Sequence, residues 1–320
     1  MGILRQHLLL EKVPGNPFIT PTPTLPAPGA ERTTPMPLDD LIREALAIEA
    51  EAARQAGALG FMARSLVQAS LPHKKPKGVE FTRTNGTFTL SMWAPSKVGL
   101  PYGSIPRMLM AWLTTEAVRT KERHLTLGDT LSSFMRALDM VPTGGRWGTI
   151  TRLREQSRRL FTTSISCFYE DEHRQSEVGF RVADKHTLWW EPKDPEQTTL
   201  FDSFVVLSET FFKEVIASPV PVDMRALKAL KKSPLSIDIY CWLTYRMSYL
   251  KGPIEIPWPA LQLQFGADYA TEGQGGRDFK RAFLRELRKV RAVYRHAKVE
   301  DGKDGLLLKP GRPHISAKTR

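Results

Sequence analysis

Residues 275–294 are compatible with only one stable element, a helix with two opposed faces. At about 100° per residue, Phe279, Phe283, Leu287, Val290 and Tyr294 fall within roughly a quarter of the helical wheel. Arg277, Arg281, Arg285 and Arg288 fall within a similar arc on the far side. The apolar stripe requires a packed core beneath it. Packing makes no demand for the arginines, since a solvated face ordinarily mixes Glu and Lys. Guanidiniums gathered in one arc form a planar, permanently charged donor array that suits phosphate oxygens and guanine edges. The pattern therefore points to a docked helix with its other side turned to nucleic acid. The competing reading is a solvated basic face whose long stems cover apolar surface. Only Asp278 and Glu286 are available to balance the stripe, and both lie off its centre, which favours nucleic acid.

Net charge agrees. Lys and Arg number 46 against 34 Asp and Glu, a formal +12 that favours nucleic acid first and an acidic membrane surface second. No apolar run approaches about 18 residues, so no membrane span is expected. Cys167 and Cys241 sit in apolar runs with neither C-x-x-C nor finger spacing, so buried thiols in a reducing compartment are expected and a zinc module is not. The first ten residues lack a signal-peptide pattern. A cytoplasmic, bacterial location is expected, with no cofactor and no metal.

Four stretches differ in character. Residues 1–37 are expected to form a flexible arm, because Pro14, Pro17, Pro21, Pro23, Pro26, Pro28, Pro35 and Pro37 favour an extended chain. Residues 38–75 open on Asp39 and Asp40 and read as an Ala/Glu/Arg-rich helical segment. Residues 76–195 begin with an alternating hairpin, Val79 to Trp93, folded at Asn85-Gly86. Helices over 105–121, 130–140 and 146–161 follow, with a short strand at 124–127 and paired strands at 165–169 and 178–182. Residues 196–315 repeat the order: helices at 235–250 and 259–265, a strand at 254–256, the arginine helix, and a final hairpin. Helix, strand, helix, helix, strand, turn, strand is the winged-helix order. The expected fold is α+β, mainly helical, with two tandem winged-helix domains behind the helical segment and the disordered arm.

In such a module the third helix enters the major groove, while the hairpin and helix ends touch phosphates. In the second module Arg277, Arg281, Arg285 and Arg288 are the groove-facing candidates. Lys280 and Lys289 flank the apolar seam and suit phosphates, as does Lys303 in the hairpin turn. Gly275 and Gly276 would let a phosphate approach the helix N-terminus. The first module's third helix is less one-sided. Trp147, Ile150, Leu153, Leu160 and Phe161 fall on its inward face, with Thr151, Arg152, Glu155 and Arg159 outward. Arg146 can project past the core from the helix start. Arg146, Arg152 and Arg159 are the candidate DNA contacts there, with a dimer surface as the competing use.

Three strings resemble the plasmid-encoded RepA family of replication initiators. They are Leu100-Pro101-Tyr102-Gly103-Ser104-Ile105-Pro106-Arg107, then Pro142-Thr143-Gly144-Gly145-Arg146-Trp147-Gly148, and Pro234-Leu235-Ser236-Ile237-Asp238-Ile239-Tyr240-Cys241-Trp242-Leu243-Thr244-Tyr245-Arg246. The resemblance covers roughly Leu100 to Pro313. It implies binding to repeats in a plasmid origin, opening of the duplex, recruitment of host replication proteins, and often repression of the chain's own promoter. A transcriptional repressor and a non-specific DNA-coating or partition protein are the alternatives. Separately, Gln197, Leu200 and Phe201 match the glutamine-x-x-leucine-phenylalanine pattern by which bacterial replication proteins dock on the sliding clamp. Those two apolar residues could equally begin the second module's core.

Catalysis is not expected. The chain has no G-x-x-x-x-G-K-[ST] loop, and its seven histidines form no His-x-His pair. Glu170, Asp171 and Glu172 read as a solvated turn rather than a two-metal site. Tyr169 beside them is not a convincing nicking nucleophile.

Overall fold

The computed structural model describes residues 53, 55–188, 203–266, 269–270 and 273–315. The proline-rich arm, most of the start of the helical segment, and Gln197, Leu200 and Phe201 lie outside the described residues.

Elements follow local chemistry. β1 (Leu59–Met62) and α1 (Arg64–Gln68) come first, then the hairpin β2 (Glu80–Asn85) and β3 (Phe88–Trp93). Gly86 turns that hairpin at φ 59°, a left-handed value that glycine adopts without strain. α2 (Ser104–Thr120) leads to β4 (His124–Thr126) and α3 (Leu131–Ala137). α3 starts on a capping box, with the Thr130 hydroxyl accepting from Ser133 N and the Ser133 hydroxyl from Thr130 N. α4 (Thr149–Thr162) precedes β5 (Ser164–Glu170), β6 (Gln175–Arg181) and β7 (Ala183–Thr187). Then come β8 (Phe204–Leu207), α5 (Glu209–Ala217), β9 (Val220–Asp223), α6 (Met224–Leu230) and α7 (Pro234–Tyr249). Pro234 sits in the first turn of α7, where its missing N–H costs no hydrogen bond, and Ser233 caps the helix. β10 (Ile254–Pro257), α8 (Trp258–Phe265), α9 (Gln274–Val293), β11 (Lys298–Asp301) and β12 (Gly305–Lys309) complete the order.

The expectation of a mainly helical chain is overturned. Of the described residues 42% are helical and 24% lie in strands, which form four antiparallel sheets. The helical segment is corrected too: Leu59–Met62 is a buried strand, and only Arg64–Gln68 of the described residues before 76 is helical. Strand pairing overrides the Ala-rich composition because β1 is buried along its length and pairs with β9, Leu59 opposite Asp223 and Met62 opposite Val220.

The two halves also differ in strand pairing, so they do not repeat one module. In the first half β4 does not join the β5–β6 hairpin. It pairs with β8, which pairs with β7, while β5–β6 extends the N-terminal hairpin into a four-stranded sheet, β2-β3-β5-β6. In the second half β10, β12 and β11 form a three-stranded sheet beside α7, α8 and α9. The pairings β1–β9 and β4–β8 both cross the position between 195 and 196. One contiguous buried cluster runs from Met62 to Leu308.

Two of the three sequence strings meet in that core. Arg107 on α2 is buried and donates through Nε and Nη2 to the Asp238 carboxylate on α7, both at 2.7 Å. Its remaining protons go to the carbonyls of Leu71, Pro72 and Gly103. His73 Nε2 lies 2.7 Å from the same carboxylate. Burial would raise the Asp238 pKa, yet the Arg107 charge and the hydrogen bonds from His73 and Arg107 hold it below the usual range. Every charge here has a partner, the condition under which a buried ion pair is tolerated.

Candidate nucleic-acid interface

α9 docks as its pattern requires. Phe279, Phe283, Leu287, Val290 and Tyr294 are all buried, packed against Trp258 and Phe265 of α8 among others. Arg277, Arg281, Arg285 and Arg288 are all exposed. The four guanidiniums are not equivalent. Arg281 pairs with Asp278 at 3.2 Å across one turn, a contact worth little at a solvated surface. Arg285 Nε donates to Glu286 at 2.9 Å. Arg277 and Arg288 have no ion-pair partner among the described residues.

Glu286 is a structural feature of this face that the helical wheel missed. It is buried and accepts from Ser236 Oγ on α7 at 2.8 Å, while Lys289 Nζ donates to it at 2.7 Å. Burial would raise its pKa, but hydrogen bonds from Lys289, Arg285, Ser236 and Ser233 outweigh burial and hold it at about 2. One carboxylate rooted in the α7–α9 seam thus orients two outward cations. Its off-centre position on the wheel was the available signal.

Other expected contacts divide. Lys303 is exposed in the turn between β11 and β12, whose shape is set by Glu255 accepting from the N–H groups of Asp304 and Gly305. Lys280 is half-buried, pairs with Asp301 at 2.9 Å and lies over the Trp258 ring, so it fastens the hairpin to α9. Gly275 answers an internal demand rather than a ligand: a Cβ there would fall 2.0 Å from the Ala270 carbonyl oxygen.

On α4 the outward set changes. Arg152, Arg154 and Arg158 are exposed and have no ion-pair partner among the described residues. Arg159, expected outward, is buried. Its guanidinium donates to Glu155 and to the Leu100 carbonyl and lies over the Tyr102 ring. Gln156, also buried, accepts from Tyr102 N at 2.9 Å. Arg159 and Gln156 thus latch the Leu100–Gly103 string to α4, and Arg159 is not available to DNA. Trp147, expected inward, is 80% exposed. The reason is the helix start: α4 begins at Thr149, not at 146, so Arg146 and Trp147 belong to the preceding loop.

Among the described residues no helix is long and apolar enough to cross a membrane. Tyr169 donates to Gln68 Oε1, and burial pushes its pKa up, the wrong direction for a nucleophile.

Against this geometry, residues 100–256 match the family model described as plasmid encoded RepA protein. The matched stretch is just under half of the chain. That match takes in all three sequence strings and the Arg107–Asp238 pair, and it ends within β10, before α9. No curated protein matches the chain. Among solved structures, domains 2 and 3 of RctB align at 14% identity with a TM-score of 0.50, over 79% of this chain and 99% of that one. A second structure of RctB domains 2–3 aligns at 13% identity and a TM-score of 0.44, over 77% and 96%. At this identity the first likeness concerns the fold alone, and it extends well beyond the RepA match.

Proposed function

We propose that the chain initiates replication of a plasmid, without catalysis of its own, by binding duplex repeats in the origin through the arginine face of α9. The observation that carries this reading is the partition of one helix: its phenylalanines are buried in the core while Arg277, Arg281, Arg285 and Arg288 all face solvent. A helix held this way can enter a major groove with guanidiniums toward base edges, while Lys289 and Lys303 reach phosphates. Arg152 and the other free arginines of α4 offer a second basic surface for a neighbouring groove. Recruitment of host replication proteins, including clamp docking through Gln197, Leu200 and Phe201, belongs to the same proposal, as does a homodimer.

The test is fluorescence anisotropy with the replicon's own repeats and with scrambled duplex. Arg281→Ala or Arg285→Ala should lower discrimination between the two by about 1–3 kcal/mol. Equal affinity of wild type for both duplexes would instead identify a DNA-coating protein. Repeat binding confined to a promoter would favour a repressor.

A further inference from the structure

We infer that Arg146 and Trp147 form a stacking site for an unpaired nucleobase of single-stranded DNA. This rests on the DNA-binding reading above and deepens it, because it assigns the first half of the chain a form of DNA that the α9 face does not address.

Four observations converge on the loop between α3 and α4. First, the loop is locked. Thr143 N donates to Thr149 Oγ1, Thr149 N donates to Thr143 Oγ1, both at 2.9 Å, and Thr151 Oγ1 donates to the Gly145 carbonyl. Gly145 has φ 85°, and a Cβ on Gly148 would fall 2.2 Å from the Thr143 carbonyl oxygen. The backbone therefore leaves little freedom over where residues 146 and 147 stand. Second, that rigid backbone leaves Trp147 80% exposed, more than any other large hydrophobic side chain among the described residues. A lone exposed apolar residue is ordinary on a protein surface; one presented by a braced loop of this kind is a platform. Third, the Arg146 guanidinium lies over one face of the indole, 5.1 Å from its centroid, and leaves the other face to a partner ring. Fourth, the surroundings are cationic. Arg152, Arg154 and Arg158 are exposed without ion-pair partners among the described residues, and the one carboxylate of α4, Glu155, is committed to Arg159.

A flat π surface among free positive charges suits a base with its phosphates attached. Paired bases in a duplex are stacked on both sides and offer no free face, so the site selects DNA whose strands have parted. A protein partner would need an apolar surface that is also acidic, and the loop offers one ring only.

The full chain would be titrated against three labelled DNAs: the duplex repeat, the same duplex with a mismatched bubble beside it, and one strand alone. Trp147→Ala should weaken binding to the bubble and the single strand about tenfold and leave the duplex unchanged. Trp147→Phe should restore most of that loss. Arg281→Ala is the control and should do the reverse, lowering duplex binding. Unchanged bubble and single-strand affinity in Trp147→Ala would overturn the inference. So would an equal loss on all three DNAs, or a wild type that binds no single strand. Should wild type bind the single strand through Trp147 but no duplex, the stacking site stands and the α9 reading falls. The ring is exposed, and the variants' circular dichroism and melting temperature should match wild type.

Discussion

Arg107 and Asp238 decide whether the core closes. Their contact joins α2 to α7 in the interior, and removing Arg107 leaves the buried Asp238 carboxylate with His73 beside it but without its guanidinium. Arg107→Ala should therefore cost about 3–5 kcal/mol in denaturant unfolding, because a buried carboxylate loses the guanidinium that balances its charge. His314 tests the C-terminal end. Its Nδ1 lies 2.8 Å from the Tyr240 hydroxyl, which already accepts from Asp223 N and so has a proton to give. Burial pushes the His314 pKa down to about 4. The unfolded chain, with an ordinary histidine, takes up a proton first as pH falls. The stability tied to the neutral ring is thus whole above about pH 6.5 and is lost progressively between there and about pH 4, by at most about 3 kcal/mol. Melting temperatures of wild type and His314→Asn should converge across that window; parallel curves would show that the ring is not the titrating group.

Among elements, α9 was legible in its sequence and α4 was not, and the difference is physical. α9 runs 20 residues with an unbroken apolar stripe, so the wheel alone separates its two faces. α4 carries 14 residues that start later than the pattern suggests, and its glycine-rich lead-in is held by side-chain hydrogen bonds that no periodicity encodes. That displaced Trp147 outward. Arg159 was misplaced for another reason: its partners at Leu100 and Tyr102 are remote in sequence, and remote contacts leave no trace in a local pattern. Glu286 has its own consequence for α9. Glu286→Gln keeps the shape but removes the charge that holds Arg285 and Lys289. Affinity for the duplex repeat should fall by less than for Arg285→Ala, with discrimination lost before non-specific binding. A variant that discriminates as well as wild type would reduce Glu286 to a packing residue.

At the scale of the whole molecule, element order could be read from the sequence better than pairing. The short strands β1, β8 and β9 went unseen because four-residue strands buried by partners far along the chain resemble loops or helix ends. Those strands tie the two halves together, so the chain is more strand-rich and less repetitive than two copies of one module. The consequence is a scaffold that carries the α4 and α9 surfaces on one continuous core. Gripping and reading residues can then be separated by salt. Lys303→Ala should weaken all duplexes alike and reduce the slope of log affinity against log salt by about 1. Arg281→Ala should act chiefly on the correct repeat.

The central claim is that the guanidinium side of α9 meets the duplex. It is tested most directly by cross-linking or by amide and side-chain protection of the full chain on its origin repeat. Protection of Arg277, Arg281, Arg285 and Arg288 by the repeat, and not by scrambled DNA, is the predicted result. Protection of a different surface, with those four side chains as accessible as in the free chain, would contradict it.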